Sequence, residues 1–162
     1  MSRSEAQKAY FLEKIADAIL DRGIAGSNLK ALARYAGTSD RMLVYYFKDK
    51  TEMINATLDV LEARLSAALD EYVPAETAHF EPLLKDVIGI LDGEVLRPYM
   101  VLRLEIAGLI LRGNEAYRSG EEGLKSTILS WIKRQLNSAT AIARDQEAKR
   151  ILIYIDGYFS QV

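Results

Sequence analysis

The segment from Ser39 to Lys50 gathers Asp40, Arg41 and Met42, then Tyr45 and Tyr46, then Lys48 and Lys50. None of these types is a ready nucleophile at neutral pH, and all but Met42 make hydrogen bonds or ion pairs. An arginine fork matches the O6/N7 edge of guanine, and an aspartate accepts from a cytosine amine but is repelled by phosphates. Phenolic hydroxyls and ammonium groups hold phosphates and set register without reading sequence. Asp40, Arg41 and Met42 are therefore candidate base contacts, Arg41 foremost. Ser39, Tyr45, Tyr46, Lys48 and Lys50 are candidate phosphate contacts. Ser27 joins them, because a hydroxyl beside the first-turn N–H groups of a helix makes an anion site. Taken singly, Lys48 and Lys50 fit a solvated surface equally well, and either tyrosine could pack on a neighbouring helix. As an ordered set they point to nucleic acid.

Other chemistry is poorly supplied. The chain has no cysteine and one histidine, His79, which follows a polar loop and is expected to be exposed. No glycine loop of phosphate-cradling type occurs, and the carboxylates are spread along solvent faces, so neither an enzyme nor a metal or cofactor site is expected. The net charge of −2 divides unevenly: residues 1–50 hold nine Lys/Arg against six Asp/Glu, leaving twelve against seventeen in residues 51–162. A basic end on an acidic chain suits a nucleic-acid partner at that end. The longest apolar or glycine run, Ile106 to Leu111, is far short of the roughly 20 residues that cross a bilayer. The first ten residues have no apolar stretch of signal-peptide type, and a cytoplasmic protein without membrane contact is expected.

Helical periodicity dominates and strand-like alternation is nearly absent, which predicts an all-α fold. A first helix spans Ser4 to Arg22, with Leu12, Ile15, Ala16 and Ile19 inward and Gly23 as its cap. A short second helix spans about Asn28 to Ala36 with Ser27 at its N-cap, and a third runs from Asp40 to Phe47 behind Ser39. With the tight Gly37-Thr38-Ser39 turn between them, these two read as a helix-turn-helix. Asp49 and Glu52 resemble a capping box opening a long fourth helix over 50–72, which stops before Pro74. The expected division is a three-helix DNA-binding domain over 1–49 and a helical domain over 50–162, with helix 50–72 connecting them. Later helices are expected over Glu81–Leu91, Pro98–Arg112, Ser119–Asn137 and Ala143–Gln161, the second of these central and buried.

The stretch from Gly23 to Ile54 resembles the N-terminal signature of the tetracycline-repressor-like (TetR) regulators. The likeness lies in Ser27, Leu32-Ala33, Gly37, Ser39, Leu43, the aromatic pair before Phe47, and Lys50. Val44 departs from it, standing where the family usually has a tyrosine. The resemblance implies a homodimer on a palindromic operator, a ligand-binding and dimerisation domain over 50–162, repression relieved by a small-molecule effector, and a fourth helix that transmits the effector's signal.

The last two helices are the expected dimer interface, through Leu124, Ile128, Trp131, Ile132 and Leu136 on one and Ile151, Ile155 and Phe159 on the other. Paired across a two-fold axis they would form a four-helix bundle. The effector pocket is expected around Tyr99, Met100, Arg103, Leu104, Glu105, Tyr117 and Trp131. Glu105, a carboxylate in the most apolar helix, needs a partner such as Arg103, Arg112 or a ligand cation. The competing interpretation is an all-helical protein-interaction module with a degenerate helix-turn-helix, favoured by Val44 and Asp40.

Overall fold

The computed structural model describes residues 2–161, and among them no strand forms beyond one isolated bridge. Helix α1 (Arg3–Arg22) is opened by a capping box in which Ser2 and Glu5 satisfy each other's N–H groups. It buries Phe11, Ile15, Ala16, Ala18 and Ile19. Gly23, at φ +72°, turns the chain toward α2 (Leu29–Tyr35).

Helix α2 is capped by Asn28, whose side chain accepts from the Ala31 N–H, and not by Ser27 as the sequence suggested. Ser27 is buried, and its hydroxyl donates to the Gly23 carbonyl one turn back. Helix α3 (Asp40–Tyr46) is capped by Ser39, which accepts from Met42 N–H, and its buried Leu43 and the following Phe47 seal it onto α1 and α2.

Helix α4 (Lys50–Asp70) begins in the head and runs through the bundle. Its N-terminal box is offset by one residue: Asp49 accepts from Glu52 N–H, but Glu52 accepts from Lys48 N–H. Arg64 binds it back to α1 through Glu13 and Asp17. The remaining elements are α5 (Phe80–Leu91), α6 (Arg97–Leu111), a 3-10 turn (Glu115–Tyr117), α7 (Arg118–Gln135) and α8 (Ala141–Phe159). Helices α4 and α7 pack closely because Gly120 and Gly123 present no side chain where Leu58 and Glu62 of α4 lie. Ala78 pairs by backbone with Gln135 and Asn137, closing the loop before α5 onto the end of α7.

Helix α6 is central only in its first half. Tyr99, Met100, Leu102, Arg103 and Ile106 are buried, whereas Val101 is exposed, Gly108 to Ile110 are only partly covered, and Leu111 is 88% exposed. Its apolar surface exceeds what one chain covers, so the uniform burial expected from composition does not occur.

Candidate nucleic-acid interface

The turn between α2 and α3 is built by backbone alone. Gly37, at φ +69°, donates to the Arg34 carbonyl, and Thr38 donates to that of Ala33, so α2 ends where α3 must leave at an angle. A positive φ favours glycine there. Ala33, Ala36, Leu43 and Phe47 pack beneath, fixing the two helices as a unit.

With Leu43 and Phe47 inward, the residues at the complementary spacing face solvent. Arg41, Val44 and Tyr45 form an i, i+3, i+4 stripe, with Val44 52% and Tyr45 76% exposed, and Lys48 stands exposed just past the end of the helix. Asp40 and Met42 flank it and are also exposed. On α2, Lys30 and Arg34 share an outward face and, with Thr38, Ser39 and Asp40, border the groove between the two helices. Among the described residues, no carboxylate lies within ion-pair distance of Lys30, Arg34, Arg41, Lys48 or Lys50. The face thus holds cations that its own protein does not neutralise.

Three of the expected phosphate contacts fare differently. Ser39 is exposed and its hydroxyl, used as an acceptor by Met42, keeps its proton for an outside acceptor. Tyr46 is half-buried, its ring edge-on to Phe11 at 5.5 Å and to Tyr45 at 5.1 Å, so it is partly a packing residue. Ser27 is withdrawn from solvent and committed to Gly23; the exposed Asn28 occupies the position assigned to it. Lys30, Arg34 and Asn28 were not among the expected contacts, although the α2 pattern places Lys30 and Arg34 opposite Leu32.

In the bundle, the residues expected at the dimer surface are core. Leu124, Ile128, Trp131, Ile132, Leu136, Ile151, Ile155 and Phe159 are at most 4% exposed within one chain. A single bundle of five helices needs all of them. What α8 leaves outside is another face: Ile142 at 74% and Ile153 at 70% exposed, with Gly157 one turn on, fall within about 60° of one another at 100° per residue.

The expected effector pocket is likewise filled. Tyr99, Met100, Arg103, Tyr117 and Trp131 are buried and pack together with the core, and Leu104 and Glu105 are partly covered. Burial pushes the Tyr99 phenol above its ordinary pKa. Arg103 pairs with Glu121 and Asp156 at 3.0 Å each, not with Glu105. Glu105 instead accepts from the backbone N–H groups of Ile24 and Ala25, at 3.0 and 2.7 Å, a partner that sequence spacing could not reveal. An open groove of about 750 Å³ lies elsewhere, between the end of α4 and α5, walled by Tyr72, Val73, Pro74, Leu83 and Ile90.

Residues 11–57, from within α1 into α4, match the family described as bacterial regulatory proteins, tetR family. No curated protein matches the chain. Among solved structures, a protein assigned as a TetR-family transcriptional regulator from Rhodococcus sp. superposes with a TM-score of 0.70 at 21% identity, over 96% of this chain and 86% of that one. GusR of Salmonella enterica gives 0.60 at 13% identity over 99% and 85% of the two chains. A protein assigned as a transcriptional regulator from Pseudomonas aeruginosa PAO1 gives 0.57 at 15% identity over 99% and 81%. At such identities these structures share the fold. Residues 11–57 thus carry a helix-turn-helix of tetR-family type with unneutralised cations on its outer face, within a chain that shares the fold of the regulators above.

Proposed function

We propose that this chain is a DNA-binding regulator of the TetR family, a ligand-responsive repressor that binds a palindromic operator as a homodimer and reads bases with the start of α3. The observation that carries this reading is the outward stripe of α3: Arg41 leads it, Tyr45 follows, Lys48 stands just past its end, and the cations around it lack internal partners. Arg41 reads guanine, Asp40 and Met42 contact neighbouring bases, and Ser39, Tyr45, Tyr46, Lys48 and Lys50 hold phosphates. Lys30, Arg34 and Asn28 extend the phosphate contacts along α2.

Two copies join through the outer face of α8, where Ile142, Ile153 and Gly157 lie uncovered. Two recognition helices then engage major grooves about one turn apart, roughly 34–36 Å. Repression relieved by an effector is the outcome the family resemblance implies. The groove over Tyr72, Leu83 and Ile90 is the effector site of this proposal, with a volume inside the range of small-molecule pockets, roughly 300–1,000 Å³. An effector acts only through unequal affinity for the DNA-bound and released states.

The test combines sedimentation of the free protein with binding to labelled duplex DNA over a salt series. The proposal expects a dimer whose affinity falls steeply and linearly in log–log form with salt, because each neutralised phosphate releases counterions. A monomer with no measurable DNA binding at low salt would instead fit the interaction-module alternative.

A further inference from the structure

Arg103 and Glu105 are two residues apart on α6, so their side chains leave the helix about 200° apart. Each is anchored. Arg103 is 3% exposed and donates from Nη1 to Asp156 Oδ1 on α8 and from Nη2 to Glu121 Oε1 on α7, both at 3.0 Å. Glu105, on the opposite face, receives the Ile24 N–H on Oε2 at 3.0 Å and the Ala25 N–H on Oε1 at 2.7 Å. Those two N–H groups belong to the α1–α2 turn of the reading head, some 80 residues away in sequence.

The turn is shaped for this carboxylate. Gly23 has φ +72°, a backbone that favours glycine, and a Cβ there would stand 2.5 Å from Glu105 Oε2, so the carboxylate would have to shift. Hydrogen bonds to an ionised acceptor are about twice as strong as neutral ones, and this acceptor takes two from adjacent amides. Among the described residues, Glu105 makes the hydrogen bonds that join α6 to the head.

We infer that α6 is a strut between the helices that face the partner copy and the DNA-reading head, and that Glu105 is the positioning residue at its head end. The strut holds the head at one angle to α8 and so sets which spacing between half-sites the dimer prefers. This rests on the homodimer and palindrome of the proposed function. Helix α4 joins the head to the bundle through the chain itself and through the Arg64 pairs to Glu13 and Asp17; Glu105 supplies a further attachment, from α6, that restricts rotation about α4. A pre-set angle lowers the ordering cost of binding both half-sites and has no effect on binding one.

The experiment compares the full chain with Glu105→Ala and Glu105→Gln on inverted-repeat duplexes whose central spacer changes by single base pairs, and on a duplex carrying one half-site. Thermal unfolding is followed in parallel. The wild type is expected to prefer one spacer. Glu105→Ala is expected to lose about tenfold on that spacer, flatten the preference, and stay within about twofold on the single half-site. Glu105→Gln keeps one carbonyl acceptor and is expected to fall between, which preserves the test should the alanine variant fold poorly. A variant pair with the wild-type spacer preference overturns the strut. So does an equal loss on the single half-site and the repeat, since Glu105 would then support the folding of the head and not its angle. A wild type with no spacer preference overturns the dimer-on-palindrome reading itself.

Discussion

In α3, Leu43 and Phe47 are sealed against the head while Arg41, Val44 and Tyr45 stand in solvent on the other side. In α7 and α8 the apolar residues at comparable spacing, from Leu124 to Phe159, are sealed as a group, and the uncovered large apolar residues are Ile142, Ile153 and Tyr154. The outward face of the head is mostly polar and charged, Val44 and Met42 aside, so exposure there largely follows residue type. In the bundle, core and proposed partner surface draw on the same apolar types, and only the packing of α8 against α5, α6 and α7 tells Ile155 from Ile153. A polar site on an apolar scaffold is visible from composition; an apolar site on an apolar scaffold is not.

Substitutions on the two sides break this contrast in order of size. Removing the charge at the buried junction should have the largest effect: Arg103→Ala leaves Glu121 and Asp156 without their partner, and breaking such a pair costs about 3–5 kcal/mol in urea unfolding. Within α8, Ile155→Ala should cost about 2–5 kcal/mol by opening a core cavity. Ile153→Asp, two residues away, should instead shift sedimentation from dimer toward monomer. If Ile155→Ala were the milder change for folding, the division of α8 into core and outer faces would be wrong.

In the head the effects should fall on DNA and not on folding. Arg41→Ala is expected to weaken specific binding by about 1–3 kcal/mol and relax one base position per half-site, with unfolding changed by no more than about 0.5 kcal/mol. Lys48→Ala should weaken all sequences alike and reduce the salt slope by about one.

The smallest effect concerns pH. Lys133 and Lys149 hold the half-buried Asp145 carboxyl down to about 2, pinning α7 to α8. Because the folded value is depressed, its contribution is present above the ordinary carboxylate range and disappears as pH falls through about 2. Asp145→Asn should remove that segment of the acid-stability curve and leave the neutral-pH curve nearly parallel to the wild type.

The contrast also explains what could be read before the structure. The helix order, the Gly37 turn and the outward Arg41 were legible because caps, glycines and the Leu43–Phe47 spacing act locally. Even there Ser27 and Asn28 compete as caps, since both types serve, and tertiary burial under Gly23 decides. The partners of Arg103 and Glu105 were illegible: both are chosen by helices remote in sequence, Glu121 and Asp156 on one side and the α1–α2 turn on the other. The filled core at Tyr99, Met100 and Trp131 was misjudged for the same reason, because periodicity marks a buried face without saying whether a cavity remains inside it.

The central claim is that the start of α3 reads DNA sequence. Selection of bound duplexes from a random pool, with the wild type and Arg41→Ala run side by side at fixed salt, tests it most directly. The account predicts an inverted repeat from the wild type, with one position per half-site losing its preference in Arg41→Ala. Recovery of the same fully specified repeat by both proteins, or of no sequence by the wild type at any salt, would contradict it.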